Sequence, residues 1–302
     1  MRKYPLLVLP LLLALTQQLS AQTNNASKTE VIVLGTGTPN ADPDRSGPAV
    51  AIVVNGHSYL VDAGPGIVRR AALAARATPA LQSPKLDIVF LTHLHSDHTL
   101  GLPDLMLSPW VLERTVPLRV FGPKGTTAMT AALTEAYSFD IETRLHGGEP
   151  SNKTGFQTIA RDVQPGVVYR DSNVTVTAFE VEHGSIAQAF GYRFQTADRV
   201  IVVSGDTHPS DEVVRQCNGC DVLVHEVYSA RTFRTRPADW QAYHKSFHTS
   251  TAQLADVATR ARPKLLVLYH QLYWGATDDD LLAEISKGYN GAVVSARDLG
   301  RY

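Results

Sequence analysis

The side chains best able to do chemistry in this chain stand together in Thr92-His93-Leu94-His95-Ser96-Asp97-His98, three imidazoles and a carboxylate in one short segment. His93 and His95 are separated by one residue, so in an extended or tightly turned backbone both rings reach one side and share an ion. Asp97 and His98 come next, where a turn aims them at a second position close by. Imidazole and carboxylate together suit zinc, with iron or manganese as substitutes. The competing reading is a set of surface histidines with Asp97 capping a helix. Four ligand-type side chains in one segment weigh against it.

Such a cluster needs a platform. The largely apolar run Leu86 to Leu91 reads as a strand that delivers the cluster at its end. Other apolar runs end in the same way, on Asp62, His183, Asp206, His225 and His270. In layered α/β folds strand ends share one rim, so these distant positions can converge. Asp62 at a strand terminus could support a ligand or a hydroxide through hydrogen bonds, or merely cap the following helix. A lone His183 or His270 would more often be a structural histidine than a ligand.

The remaining elements fit that layout. Glu30 to Leu34 is a strand running into the tight turn Gly35-Thr36-Gly37-Thr38-Pro39, which lacks the third glycine and long helix of a dinucleotide site. Ala49 to Val54 and His57 to Val61 form a hairpin about Asn55-Gly56. Helices are expected over Ile67 to Ala77, Leu102 to Leu112, Thr126 to Tyr137, Ala252 to Ala261 and Asp278 to Lys287. Glu142 to Asp171 is irregular, with short edge strands or a loop over the site. A polar loop bearing Arg231, Arg234 and Arg236 is expected to run from Glu226 to Lys245, and Thr249 or Ser250 caps the next helix while leaving His248 free. Phe233 to Tyr243 supplies aromatic residues that can wall a pocket. Alternating strands and helices without repeat or linker imply one α/β domain.

The chain has 302 residues, 44% of them hydrophobic, and a formal charge of -1. That near-neutral balance gives no extended nucleic-acid surface, which needs a basic face. Residues 1–21 read as a secretory signal peptide: Arg2 and Lys3, an apolar centre from Leu6 to Leu15, and a cleavage end at Leu19-Ser20-Ala21. The expectation is therefore a secreted or periplasmic protein with no stable membrane anchor, its functional domain spanning residues 22–302. Cys217 and Cys220 are too few for a zinc ribbon, and a local disulfide across Asn218-Gly219 is one expectation for them.

His93, His95, Asp97 and His98 spell the His-x-His-x-Asp-His motif, and with it nearly the whole chain after residue 21 resembles the metallo-β-lactamase superfamily. The resemblance implies an αββα sandwich with two divalent metal ions, expected to be zinc with manganese or iron as alternatives. It assigns His93, His95 and His183 to one metal, Asp97, His98 and His270 to the other, and Asp206 as the bridge. Leu34 to Pro39, Val61-Asp62-Ala63-Gly64, Ser204 to Thr207, His225-Glu226 and His248-Thr249-Ser250 are most similar to the branch holding ribonuclease Z, phosphodiesterases and arylsulfatase-like enzymes.

In that branch a histidine matching His248 assists the leaving group or binds the oxyanion, and a glutamate matching Glu226 orients it. Asp62 belongs to the supporting set. The activity implied is hydrolysis of a small anionic phosphodiester or aryl sulfate ester by a metal-bridging hydroxide, with His248 kept protonated by Glu226. The alternatives are a ribonuclease Z-like endoribonuclease, a lactonase, a β-lactamase, or a non-enzymatic metal-binding or sensing protein on the same fold. A short hairpin joins His183 and Asp206 where tRNA-processing members carry a long arm, which together with the signal peptide argues against tRNA maturation. Many relatives form homodimers, so a dimer is the expectation by analogy.

Overall fold

The computed structural model describes residue 1 and residues 29–302. The expected signal peptide and most of the segment that follows it lie outside the described residues. Two seven-stranded sheets carry the architecture. The first contains β1 (Thr29–Gly35), β2 (Ala49–Val54), β3 (His57–Val61), β4 (Ile88–Phe90), β5 (Leu118–Gly122) and β6 (Thr158–Asp162). The second contains β7 (Gly166–Arg170), β8 (Thr175–Val181), β9 (Ala189–Gln195), β10 (Val200–Val203), β11 (Val222–Tyr228), β12 (Leu265–Leu272) and β13 (Val293–Ser295). The last strand, β14 (Gly300–Arg301), returns to pair antiparallel with β1.

The central strands alternate their side chains between two buried faces, which makes the sheets the middle of four layers, while the edge strands β6 and β7 are largely exposed. Val31, Val33, Ile52 and Phe90 from one sheet meet Val176, Tyr192, Phe194, Val224 and Val267 from the other in the central core. Ile32, Leu34 and Leu60 point the opposite way, onto the helices Ile67–Ala74 and Leu102–Val111. On the far side Leu223, Leu266 and Leu268 pack against the helices Asp211–Cys217, Thr251–Ala261 and Asp278–Ile285. The result is a single-domain αββα sandwich. Among the described residues no helix is long and apolar enough to cross a membrane.

The expected hairpin forms, with Asn55 at φ 50 and Gly56 at φ 80 as an Asn-Gly turn requires. Ser250 is the residue that caps the helix Thr251–Ala261, through a capping box with Gln253. Cys217 and Cys220 are joined to each other.

Two expectations need correction. The stretch from Glu226 to Lys245 is not a loop: β11 continues through Glu226 to Tyr228, and the helices Ala230–Phe233 and Ala238–Phe247 follow. The irregular stretch after Glu142 does hold edge strands, β6 and β7, but it begins inside a further helix, Ser138–His146. Both longer helices have mixed faces without a clean apolar stripe, which is why periodicity alone did not reveal them.

Candidate metal centre and its flanking cleft

The platform for the histidine motif is the shortest central strand. Phe90, fully buried, stacks on Phe121 with centroids 5.2 Å apart and meets the Phe194 edge at 5.6 Å. Truncation of such a side chain costs about 3–5 kcal/mol, so the strand that delivers His93 is firmly anchored. Leu91 N then bonds to Phe121 O, and the chain leaves the sheet into the short helix Ser96–Thr99. Asp97 does not cap that helix. Its carboxylate faces His270 and His98 instead.

Three nitrogens gather at one position: His93 Nε2 lies 2.9 Å from His95 Nδ1, and His183 Nε2 lies 3.2 Å from the same atom. At the second position Asp97 Oδ2 is 3.1 Å from His270 Nε2 and 3.5 Å from His98 Nε2. Asp206 Oδ2 is 3.4 Å from both His98 Nε2 and His270 Nε2. Asp206 also groups with His93 and His98, and with His183 and His248, so this one carboxylate faces both positions. The ligand atoms within each of these groups lie within 4.8 Å of one another. All seven residues expected to be ligands are thus brought together.

Backbone conformations that L-residues rarely adopt aim several of them. His270 sits at φ 45 where the β11–β12 register shifts, a bulge that turns its ring out of the alternation of β12. Gly205 precedes Asp206 at φ 63, and a Cβ there would lie 2.7 Å from Phe190 O and 2.9 Å from Thr92 Cβ. Asp62, at φ 61 after β3, turns back to accept hydrogen bonds from Thr92 N at 2.7 Å and from Thr92 Oγ1. Its other oxygen is 2.8 Å from His98 Nδ1.

The donor set fits divalent cations. His183 Nδ1 donates to Phe247 O at 2.7 Å and His98 Nδ1 faces Asp62, so each ring turns Nε2 towards the cluster. His98 Nε2, Asp206 Oδ1 and His270 Nδ1 are buried without a hydrogen-bond partner. Burial holds the imidazoles of His93 and His95 below their usual range and pushes His183 down to about 4. Burial opposes ionisation of Asp206, but His270 and His98 outweigh it and keep the carboxylate well below its usual range. Burial likewise opposes protonation of His98, yet Asp206, Asp62 and Asp97 raise its pKa well above the usual value. Burial opposes protonation of His270 too, but Asp206 and Asp97 raise its pKa. Divalent ions in these positions would replace the protons that His98 and His270 hold.

His248 borders this centre, its Nδ1 3.4 Å from Glu226 Oε2 and 3.9 Å from Asp206 Oδ2. Glu226 Oε1 accepts from Thr249 N at 2.7 Å, which ties the carboxyl group to the His248 segment. Without bound ions, the two groups lean away from the expected protonated His248 beside an anionic Glu226. Burial pushes His248 down to about 4, and burial followed by Asp206 raises Glu226 well above the carboxylate range. In the protein without bound ions the pair is a neutral contact. His225 stays outside the centre, because alternation along β11 sends it to the face opposite Glu226, where Nδ1 contacts Glu226 O.

Sequence reading understated the wall beyond His248. The helix Ala238–Phe247 brings Trp240, Tyr243 and His244 to a cleft of about 620 Å³ that also borders Trp274 and Arg236. Of the three arginines in the expected polar loop, Arg231 is engaged by Asp280 at 2.9 Å, and Arg236 is the one that lines this cleft.

Residues 57–271 match a beta-lactamase superfamily domain. Ribonuclease Z from Mycobacterium sp. (strain KMS) is 34% identical over 245 residues, which cover 80% of this chain and 84% of that protein. Human tRNase Z, short form, superposes with a TM-score of 0.68 at 21% identity, covering 90% of this chain and 98% of the other. A diphosphatase from the PhnP family superposes with a TM-score of 0.63 at 19% identity, covering 91% and 97%. The chain belongs to the metallo-β-lactamase superfamily, as a metal-dependent hydrolase of the branch that includes ribonuclease Z.

Proposed function

We propose that this protein is an exported binuclear hydrolase of phosphodiester bonds, with aryl sulfate esters as secondary substrates. The observation that carries the reading is Asp206, whose carboxylate faces both groups of ligands while His248 stands at its flank. His93, His95 and His183 would hold one divalent ion, and Asp97, His98 and His270 the other. Two such ions, zinc by preference of the donor set, supply Lewis acidity and lower the pKa of water towards neutral. The protein's own groups do the rest. Asp62 fixes the His98 ring, Thr92 holds Asp62 and faces His93 Nδ1, and Phe247 O orients His183. His248 carries a ring N–H in either protonation state, which can hydrogen-bond the leaving oxygen as charge builds there. Glu226 positions that ring.

Similarity to ribonuclease Z favours a phosphodiester over a sulfate, lactone or β-lactam. The connection between His183 and Asp206 is only the β9–β10 hairpin and its flanks, so a small diester is preferred here to a folded tRNA. Export rests on the composition of residues 1–21, and the Cys217–Cys220 bond is in keeping with an oxidising compartment. Turnover of bis(4-nitrophenyl) phosphate, 4-nitrophenyl sulfate, a lactone, a β-lactam and a tRNA precursor by the zinc and manganese forms tests the substrate. The phosphodiester should be hydrolysed fastest, and a dominant lactonase or β-lactamase activity would refute the assignment. Fractionation with N-terminal sequencing tests export: the mature chain should begin after Ala21 outside the cytoplasm.

A further inference from the structure

We propose that the cleft beside His248 is a subsite for a planar aromatic ring on the leaving side of the ester. The inference rests on the phosphodiester reading above and adds what the substrate carries. His248 itself forms part of the cleft, so a group seated there adjoins the bond to be broken. Its volume, about 620 Å³, lies in the range of small-molecule sites.

The walls are already assembled for stacking. Trp240 and His244 are stacked with planes 23° apart and centroids 5.6 Å apart, and the His244 ring lies 4.5 Å from Trp274. The Arg236 guanidinium stands 5.9 Å from the Trp240 ring and 5.4 Å from the Trp274 ring. Packing does not account for this arrangement, because Trp240 remains 47% exposed on its helix. A tryptophan serving only the core would be covered. Two lining residues also carry buried polar atoms without partners. His244 is buried with its Nδ1 unpartnered, and Arg236 Nε is buried and likewise unpartnered. An aromatic ring can stack on the exposed Trp240 side chain. A plain aryl group and a nucleobase share this chemistry.

Calorimetric titration of the metal-loaded protein with methylphosphonate, phenylphosphonate, adenosine 5′-monophosphate and neutral 4-nitrophenol separates the possibilities. Phenylphosphonate should bind roughly 10-fold more tightly than methylphosphonate, the scale of one stacking contact. Trp240→Leu should erase that advantage while methylphosphonate affinity stays the same, and Trp240→Phe should restore most of it. Adenosine 5′-monophosphate binding more tightly than phenylphosphonate would identify the ring as a nucleobase, and equal binding as a plain aryl group. Equal affinity for the methyl and phenyl compounds in the wild type, or an equal loss of both in Trp240→Leu, would overturn the subsite. Failure of methylphosphonate with retained, Trp240-dependent binding of 4-nitrophenol would instead remove the anionic-ester reading and leave the ring site standing.

Discussion

Asp62 Oδ2 and His98 Nδ1 lie 2.8 Å apart in a fully buried contact, and this decides which nitrogen of His98 faces the centre. The same carboxylate accepts from Thr92 N, so one side chain joins the end of β3, the end of the strand bearing the motif, and a ligand ring. Removing it leaves the ligand present but unoriented. Asp62→Ala should weaken metal affinity about 10- to 100-fold, the usual effect of losing an orienting partner. Competition with a chromophoric chelator measures it, and unchanged affinity would show that His98 needs no support.

For His248 the expected signature is a split by leaving group. His248 lies within ligand reach of His183 and Asp206, but His93, His95 and His183 make up one position and Asp97, His98 and His270 the other without it, so His248→Ala should keep its metal. Turnover should fall about 10²- to 10⁴-fold for diesters with alkoxide leaving groups, and much less for 4-nitrophenolate, which departs without help. An equal fall for both substrates would assign His248 to binding or to structure.

Gly205 offers a test of the backbone that aims Asp206. At φ 63, with Phe190 O and Thr92 Cβ within 3 Å of any added Cβ, Gly205→Ala combines strain with a clash. The cost should be about 1–3 kcal/mol, read as a lower midpoint in urea unfolding, together with weaker metal binding. A variant as stable as the wild type would mean that the turn before Asp206 is not constrained.

His225, which is not one of the seven grouped ligands, supplies a pH signature dominated by burial, with Asp206 only a smaller opposing charge. Burial pushes its folded pKa down to about 4 from an ordinary value of 6.5. Between those values the unfolded chain binds the proton and the folded chain does not, so stability rises with pH there. The contribution is complete above pH 6.5 and is lost as pH falls towards 4. In His225→Gln the slope of unfolding free energy against pH should therefore be shallower by about one proton across that window. Denaturation of metal-free protein at a series of pH values measures the difference, and identical slopes would place the His225 pKa near its ordinary value.

Much of the centre was legible in the sequence because most of its ligands follow buried strands that apolar runs mark, although His270 proves to lie inside β12 (Leu265–Leu272). His93, His183, Asp206 and His270 were all found that way. The aiming of His270 was not legible, since a bulge at φ 45 reverses the side that simple alternation assigns. His225 shows the converse, a metal-capable residue inside β11 (Val222–Tyr228) that alternation turns away from the centre. The aromatic cleft was only half visible, because the helix Ala238–Phe247 presents its rings to a cleft rather than to the core and so reads as polar loop. Charge states were least accessible. Whether Glu226 is an anion depends on its burial beside Asp206, a distance that spacing along the chain does not encode.

The central claim is that one carboxylate, Asp206, joins two metal positions, and metal counting with mass-spectrometric detection tests it directly. Wild-type protein should retain about two divalent ions per chain after gel filtration. Asp206→Ala should retain fewer than about one, because both positions lose a ligand. Full occupancy in Asp206→Ala would contradict the account.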